Sequence, residues 1–185
     1  MRGRGFVMKF VEPIRDLNKV EEMKAELLKR GNRDYFLFVL GVNSGLRISD
    51  MLKLKVRDLR NLELRLHETK TRKAFVLSLA HIKEEVEDYI RYKEDEEYVF
   101  KSSRSEEPIK RVQAYRILNK TGESIGLRNI GCHSLRKTFG YHHYRRNKDI
   151  AILMSIFNHS SESITLRYLG ITGDVINNSL EGFKL

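Results

Sequence analysis

One short β signal within an otherwise helical chain constrains the fold more than any other feature of this sequence. The segment LELRLHE (62–68) alternates apolar and polar residues, and AFVLSL (74–79) follows it after the polar link TKTRK (69–73). A period of two predicts strands, and so short a link predicts an antiparallel hairpin. The sequence therefore predicts a mainly α protein with a small antiparallel β-sheet, an α+β fold, to which YVF (98–100) could add a short strand.

The first two helices are marked by a cap, a breaker and their apolar residues. Asn18 with Glu21 predicts a capping box, and Gly31 predicts the end of the first helix. The second helix, about 33–42, is apolar nearly all round and is expected at the centre of the fold. The predicted apolar stripe of the first helix consists of Val20, Met23, Leu27 and Leu28.

The remaining helices are predicted from periodicity and from the turns between them. The turn NSG (43–45) leads into a third, short helix that carries Arg47 and Asp50. A Gly-punctuated loop is expected over 120–131. Further helices are predicted at about 80–94, Pro108 to about Asn119, 133–146, 148–157 and 161–169, with a short one in 172–185.

Length and composition are those of a single soluble globular domain. The 185 residues suffice for a substantial core, and no apolar run reaches the roughly 20 residues that span a bilayer. The start MRGRGFVMKF is basic without the apolar run of a secretory signal, so residues 1–10 are interpreted as a leader or as disordered. A single cysteine, Cys132, excludes an intramolecular disulfide and suits a reducing cytoplasm.

The charge is strongly positive and unevenly distributed. The formal net charge is +10, residues 101–148 carry a local balance of +9, and residues 84–97 carry −6. A concentrated basic half favours a polyanionic partner, and nucleic acid is the commonest one. The alternative is a solvated basic surface without a partner.

Two arginine-containing pairs and one segment with a histidine and a tyrosine supply residues suited to attack on a phosphodiester by a protein nucleophile. Arg47 with Asp50, and His133 with Arg136, are spaced i, i+3 and so share a helix face. Arginine matches two phosphate oxygens, and histidine exchanges a proton near neutral pH. Tyr168 is the candidate nucleophile, although a phenol with a pKa of about 10 needs a base or a positive field. Each pair taken alone is better explained as an ordinary surface pair.

Other chemistries fit the sequence less well. Cys132 and His133 are adjacent on a helix and cannot form a thiolate–imidazole pair. His142 and His143 lack the spaced partners of a zinc site, and no Gly-rich phosphate loop with Lys-Ser/Thr is present. Neither a metal nor another cofactor is therefore expected.

The ordered phrases SGLRISD (44–50), HSLRKTFG (133–140) and NHSSESITLRYLG (158–170), with a lysine in the hairpin link, resemble the catalytic domain of the tyrosine recombinase (phage integrase) family. The resemblance implies that family's DNA breaking-rejoining fold, and a DNA recombination or integration activity that needs neither ATP nor metal. It also implies double-stranded DNA as partner, a homo-tetramer on DNA, and a cytoplasmic, nucleoid-associated location. The matching set, over residues 47–168, is Arg47, Lys70, His133, Arg136, His159 and Tyr168, with Asp50 in support.

The resemblance also implies a role for each of these residues. The two arginines would hold the non-bridging oxygens of the scissile phosphate, and His159 would hydrogen-bond to that phosphate. Tyr168 would form a 3′-phosphotyrosyl link, with His133 helping to accept its proton. Lys70 would protonate the leaving 5′ oxygen, with Arg72 and Lys73 as close competitors, and Asp50 would buttress the site near His133.

The chain departs from the family pattern in two ways. Asn158 stands where the family usually has Gly before the second histidine, and the residues before Arg47 are expected to belong to the catalytic domain, without the N-terminal DNA-clamping domain that family members usually carry. The chain is accordingly interpreted either as a fragment or as a minimal recombinase-like protein. Residues 1–185 are thus interpreted as one catalytic domain, whose end, 171–185, either passes to a neighbouring subunit or folds back. The competing interpretations are a DNA-binding regulator that no longer recombines and a monomeric relaxing topoisomerase. The complete site argues against the first, and the small size argues against the second.

Overall fold

The computed structural model describes residues 11–67, 74–171 and 183–184, and it shows a mainly helical chain with one two-stranded antiparallel sheet. The fold class predicted from the sequence is confirmed. Residues 1–10, Lys70 and nearly all of 171–185 lie outside the described residues. The elements are α1 Leu17–Arg30, α2 Asn32–Ser44, α3 Ile48–Met51, β1 Glu63–His67, β2 Ala74–Ser78, α4 Lys83–Ile90, α5 Arg111–Ser124, α6 Cys132–Asn147, α7 Ile150–Phe157 and α8 Glu162–Leu169.

The sheet pairs the two predicted strands antiparallel, and the predicted turn at 69–73 lies outside the described residues. Its register pairs Glu63 with Ser78 and His67 with Ala74, so the two strands match residue for residue. The segment YVF adds no strand to this sheet, because Tyr98 forms only an isolated bridge with Lys55. A short 3-10 turn at Val56–Leu59 precedes β1.

The first helix begins earlier than its predicted cap. Asp16 caps it, since its side chain accepts a hydrogen bond of 2.8 Å from the Asn18 backbone N–H, so the prediction of Asn18 as cap was wrong. A carboxylate two residues upstream satisfies the same free N–H groups. Leu28 is 51% exposed and does not belong to the buried stripe. Gly31 ends the helix as predicted.

The helices of the second half follow the prediction with shifted boundaries. α4 begins at Lys83 after a 3-10 turn at Ala80–Ile82. α5 begins at Arg111, because Pro108 is held in a bridge to Lys101 and cannot start it. α5 also runs on to Ser124 and shortens the predicted loop.

Close packing of α2 against α6 brings together the segments that carry Arg47 and Arg136. α2 is buried almost all round, and Gly41 on it faces Leu135 of α6 so closely that an added Cβ would lie 2.5 Å from Leu135 Cδ1. This contact places the end of α2 beside the first turns of α6. A second, smaller core of Leu153, Phe157, Leu169 and Ile171 packs α7 and α8 together. No helix in the described part of the chain is long and apolar enough to cross a membrane.

The segment before α1 contacts both α6 and the end of α8. The backbone N–H of Ile14 donates to Thr138 Oγ1 (2.8 Å), and its carbonyl accepts from His142 Nε2 (2.9 Å). Arg15 Nη2 donates to the Gly170 carbonyl at the end of α8 (3.0 Å). Residues 11–15 therefore bridge α6 and α8.

Candidate active site

The first arginine lies on a tight corner between α2 and α3. Gly45 ends α2 in the left-handed conformation, with φ of 64°, which glycine adopts without strain. Arg47 follows in an extended conformation as the residue that precedes α3, and not on the helix as predicted. Its side chain is exposed. The corner therefore presents the Arg47 guanidinium to solvent.

The second arginine is built into the same corner from below. Arg136 is only 7% exposed, and its Nη1 donates to the carbonyl of Gly45. Its Nη2 donates to the Ile156 carbonyl (3.3 Å), and its guanidinium lies 4.3 Å from the centre of the Phe157 ring. These contacts fix the fork in one orientation.

Burial and neighbouring charges act on Arg136 in opposite directions. Burial lowers its pKa to about 10, and the positive charge of Arg47 acts the same way. The pKa is held up by Tyr168 and by the Asp50 carboxylate. Arg136 therefore stays charged near neutral pH. The placement of Asp50 beside His133 remains a prediction.

His133 lies in the first turn of α6, one turn before Arg136, and its side chain is exposed. Partial desolvation is the main cause that lowers its pKa, and the charges of Arg111 and Arg136 add to it. The imidazole is therefore neutral near pH 7 and can accept a proton. Arg111, at the start of α5, was not singled out from the sequence.

His159 lies on the corner between α7 and α8. Asn158 caps α7 in the left-handed conformation, with φ of 54°, so asparagine occupies the conformation that a glycine would otherwise supply. Ser161 caps α8 by accepting a hydrogen bond from the Ile164 N–H (3.3 Å). Desolvation and the charges of Arg136 and Arg47 lower the pKa of His159.

Tyr168 lies in the last turn of α8 with its ring half-buried between other aromatic groups. Its ring centre is 5.2 Å from that of His159 and 5.6 Å from that of Phe157. Burial raises the pKa of Tyr168, while the charges of Arg136 and Arg47 and a hydrogen bond from Arg136 lower it. The phenol is therefore protonated near pH 7, and its ionisation requires a base or an added positive field.

Five of the predicted residues thus share one electrostatic site. The charges of Arg47 and Arg136 act on His133, His159 and Tyr168 alike. Two cations, of which Arg136 is held in place, together with two neutral imidazoles and a phenol can bind an anionic group and move a proton at it. Lys70 is the one predicted catalytic residue outside the described part of the chain.

Three further residues contribute to the site although the sequence did not single them out. Lys137 is buried, with its ammonium 5.3 Å from the centre of the Tyr168 ring and 2.8 Å from the Val11 carbonyl. Phe157 packs against Arg136, His159 and Tyr168. Thr165 touches His159. These residues are recognised only by their contacts in the folded chain, because no sequence pattern separates them from other helix positions.

Metal ligands are not clustered among the residues that the structure describes, since no three His, Cys, Asp or Glu side chains are grouped to hold an ion. His142, which the sequence paired with His143, is engaged with the Ile14 carbonyl.

Residues 16–172 match the model of the phage integrase family. The chain is similar to the probable integrase/recombinase YoeC of Bacillus subtilis (strain 168), with 52% identity over 169 residues that cover 90% of this chain and 93% of that protein. It spans little more than half the length of other curated tyrosine recombinases that it matches.

Solved structures share the fold at low sequence identity. XerA recombinase superposes with a TM-score of 0.74 at 19% identity, over 92% of this chain and 64% of that one. A lambda integrase tetramer bound to a Holliday junction gives a TM-score of 0.68 at 16% identity, over 85% and 48% of the respective chains. The fold is therefore that of a tyrosine recombinase catalytic domain.

Proposed function

The chain belongs to the phage integrase family, and on that premise we propose that it is the catalytic domain of an enzyme that cuts and rejoins DNA through Tyr168. The observation that carries this proposal is the arrangement around that phenol. Tyr168 hydrogen-bonds to the buried Arg136, lies against His159, and is within the field of Arg47. This arrangement brings a nucleophile together with groups that bind phosphate.

The proposed reaction is a transfer of a phosphoryl group from DNA to the protein and back. Arg47 and Arg136 bind the non-bridging oxygens, where negative charge develops in the transition state. The Tyr168 oxygen attacks phosphorus, a 3′-phosphotyrosyl bond forms, and the bond to the 5′ oxygen breaks. His133 accepts the phenolic proton, and Lys70 donates a proton to the departing 5′ oxygen. A 5′ hydroxyl from a partner strand reverses these steps.

This route needs neither ATP nor a metal ion. The covalent intermediate retains the phosphodiester linkage, so rejoining is nearly isoenergetic with cleavage. His159 supports the phosphate as a hydrogen-bonding group, and Asp50 supports Arg136, whose pKa it raises. The lowered pKa values keep both imidazoles neutral near pH 7, so His133 can accept a proton and His159 can act as a neutral hydrogen-bonding group.

The proposed substrate is double-stranded DNA, and the proposed assembly is a homo-tetramer on that DNA. The strongly basic sequence supports a polyanionic partner. One structural neighbour is a lambda integrase tetramer bound to a Holliday junction. Exchange of the segment 171–185 between subunits, and a location in the cytoplasm with the nucleoid, belong to the same proposal.

A covalent-adduct assay tests the nucleophile. A pool of nicked duplexes of random sequence is incubated with the protein, and adducts that survive denaturation are recovered and sequenced. We expect adducts with the native chain, none with Tyr168→Phe, and undiminished adducts with Tyr92→Phe, a control at a tyrosine that is 92% exposed. Adducts in Tyr168→Phe would identify another nucleophile, and none from the native chain would refute strand cleavage by this domain.

A further inference from the structure

A buried threonine contacts His159 from the helix that carries the nucleophile. Thr165 is fully buried in α8, one turn before Tyr168. Its Oγ1 lies 3.0 Å from His159 Nδ1 and 3.3 Å from the carbonyl oxygen of Ser161. The packing of His159 against the Phe157 and Tyr168 rings holds the imidazole in the orientation that allows this contact.

The single proton of the Thr165 hydroxyl can serve only one of its two acceptors. If it is donated to the Ser161 carbonyl, Oγ1 must accept a hydrogen bond from Nδ1–H, and Nε2 of a neutral ring is then a bare acceptor. If it is donated to Nδ1, the ring proton is on Nε2, which becomes a donor. The direction of the Thr165 hydrogen bond therefore determines whether Nε2 of His159 is a donor or an acceptor.

Donation to the imidazole is favoured by distance, because Oγ1 lies closer to Nδ1 of His159 (3.0 Å) than to the Ser161 carbonyl oxygen (3.3 Å). The Ser161 carbonyl already accepts the helical hydrogen bond from the Thr165 backbone N–H (3.3 Å), so the hydroxyl can turn away without leaving that oxygen unsatisfied. Desolvation and the charges of Arg136 and Arg47 lower the pKa of His159, so the ring is neutral and its one N–H must be assigned.

We propose that Thr165 is a positioning residue that donates to Nδ1 of His159 and thereby holds the proton on Nε2, as a hydrogen-bond donor to a phosphate oxygen. This rests on the proposed function. Because Thr165 and Tyr168 are i and i+3 on α8, the same helix turn orients both the nucleophile and the phosphate donor. A displacement of α8 would move both groups together.

The proton position is measured first, on the DNA-free protein, by ¹⁵N NMR of the histidine side chains. We expect His159 to carry its proton on Nε2 in the native chain and in Thr165→Ser, and to lose this preference in Thr165→Val, which keeps the shape without the hydroxyl. A native ring protonated on Nδ1 would overturn the proposal. This readout does not depend on cleavage, so it also holds if strand cleavage fails.

The consequence for the reaction is measured by single-turnover cleavage of a nicked duplex. We expect Thr165→Val to slow cleavage roughly tenfold, the effect of one hydrogen bond, and Thr165→Ser to restore it. In a His159→Ala background, Thr165→Val should have no further effect. An equal loss in that background would show that Thr165 acts through packing alone. If Thr165→Val does not fold, the proposal is tested by the position of the His159 proton in the native chain and by the cleavage rate of Thr165→Ser, which should match the native rate.

Discussion

At the scale of single residues, Arg136 carries the largest structural burden of the site. Its guanidinium binds the carbonyls of Gly45 and Ile156 and stacks on Phe157, so one side chain of α6 holds both the α2–α3 corner and the end of α7. Arg47, by contrast, is exposed. The two arginines therefore share a proposed role in catalysis but differ in their contribution to the fold.

Replacement of each arginine by lysine should separate these contributions. Lysine cannot reproduce the planar fork, so we expect Arg136→Lys and Arg47→Lys each to slow cleavage by roughly 10²–10³. Only Arg136→Lys should also lower the free energy of unfolding, by about 1–3 kcal/mol, because a buried carbonyl loses its donor. Urea denaturation and single-turnover cleavage check this pair, and equal stability losses would contradict it.

His143 should make the stability depend on pH. Its Nδ1 is buried without a hydrogen-bond partner among the described residues, and desolvation lowers its pKa below the ordinary 6.5 although Asp149 acts in the opposite direction. Because the unfolded state then binds the proton more tightly, stability is lost as the pH falls from about 6.5 through the folded-state pKa.

We therefore expect the free energy of unfolding to be smaller at pH 5.5 than at pH 7.5, and this difference to shrink in His143→Gln. Urea denaturation at the two pH values measures both quantities. His133 and His159 shift in the same direction and sustain part of the effect. An unchanged difference in the variant would show that His143 does not contribute.

At the scale of elements, the site depends on how closely α6 meets α7 and α8. Gly140 on α6 faces these helices so closely that an added Cβ would lie 2.5 Å from Leu169 Cδ2 and 2.7 Å from Phe157 Cζ. The same Phe157 ring supports Arg136, His159 and Tyr168. The spacing of the helices is thus transmitted directly to the reacting groups.

Gly140→Ala tests this spacing. Alanine is a better helix former than glycine by about 1 kcal/mol, so a net loss of stability would report the clash. We expect a net destabilisation of about 1–2 kcal/mol with slower cleavage, because Phe157 must move. Glu84→Ala, at an exposed position of the acidic helix α4, is the control and should leave both quantities nearly unchanged. Unaltered cleavage in Gly140→Ala would contradict the link to Phe157.

At the scale of the whole molecule, the acidic and basic charges are handled differently. In the acidic segment 84–97, Glu96 pairs with Lys55 (2.6 Å) and Asp95 pairs with Arg60 (2.8 Å). Part of the negative charge is therefore compensated by the region before β1. The basic excess of residues 101–148 is carried largely by α5 and by α6, the helix that holds His133 and Arg136.

DNA affinity should accordingly depend steeply on salt. Each phosphate that a cation neutralises contributes a slope of about −0.9 to the plot of log affinity against log salt concentration. We expect Arg47→Gln to reduce the magnitude of this slope by about one and Lys83→Gln, on the acidic helix α4, to leave it unchanged. Fluorescence anisotropy across a salt series measures both, and equal slopes in the two variants would remove Arg47 from the phosphate contacts.

Much of this organisation follows from the sequence alone. The hairpin at 62–79, the buried α2 and the end of α1 at Gly31 follow from periodicity and turn chemistry, which act between residues close in the chain. The order of Arg47, His133, Arg136, His159 and Tyr168 predicts a single phosphate site through its resemblance to the tyrosine recombinase family. The cap at Asp16 was missed because Asp16 and Asn18 can both cap α1, and the sequence pattern does not distinguish them. The start of α5 at Arg111 was missed because the bridge between Pro108 and Lys101 is not visible in the sequence.

Only the tertiary structure decided how these residues act together. Arg136 is held by the carbonyl of Gly45, 91 positions away in the chain, and Thr165 became visible only when α8 packed beside the His159 corner. Burial lowers the pKa of both site histidines and raises that of Tyr168. Desolvation depends on which distant segments exclude water from a side chain, so no sequence pattern near that side chain can specify it.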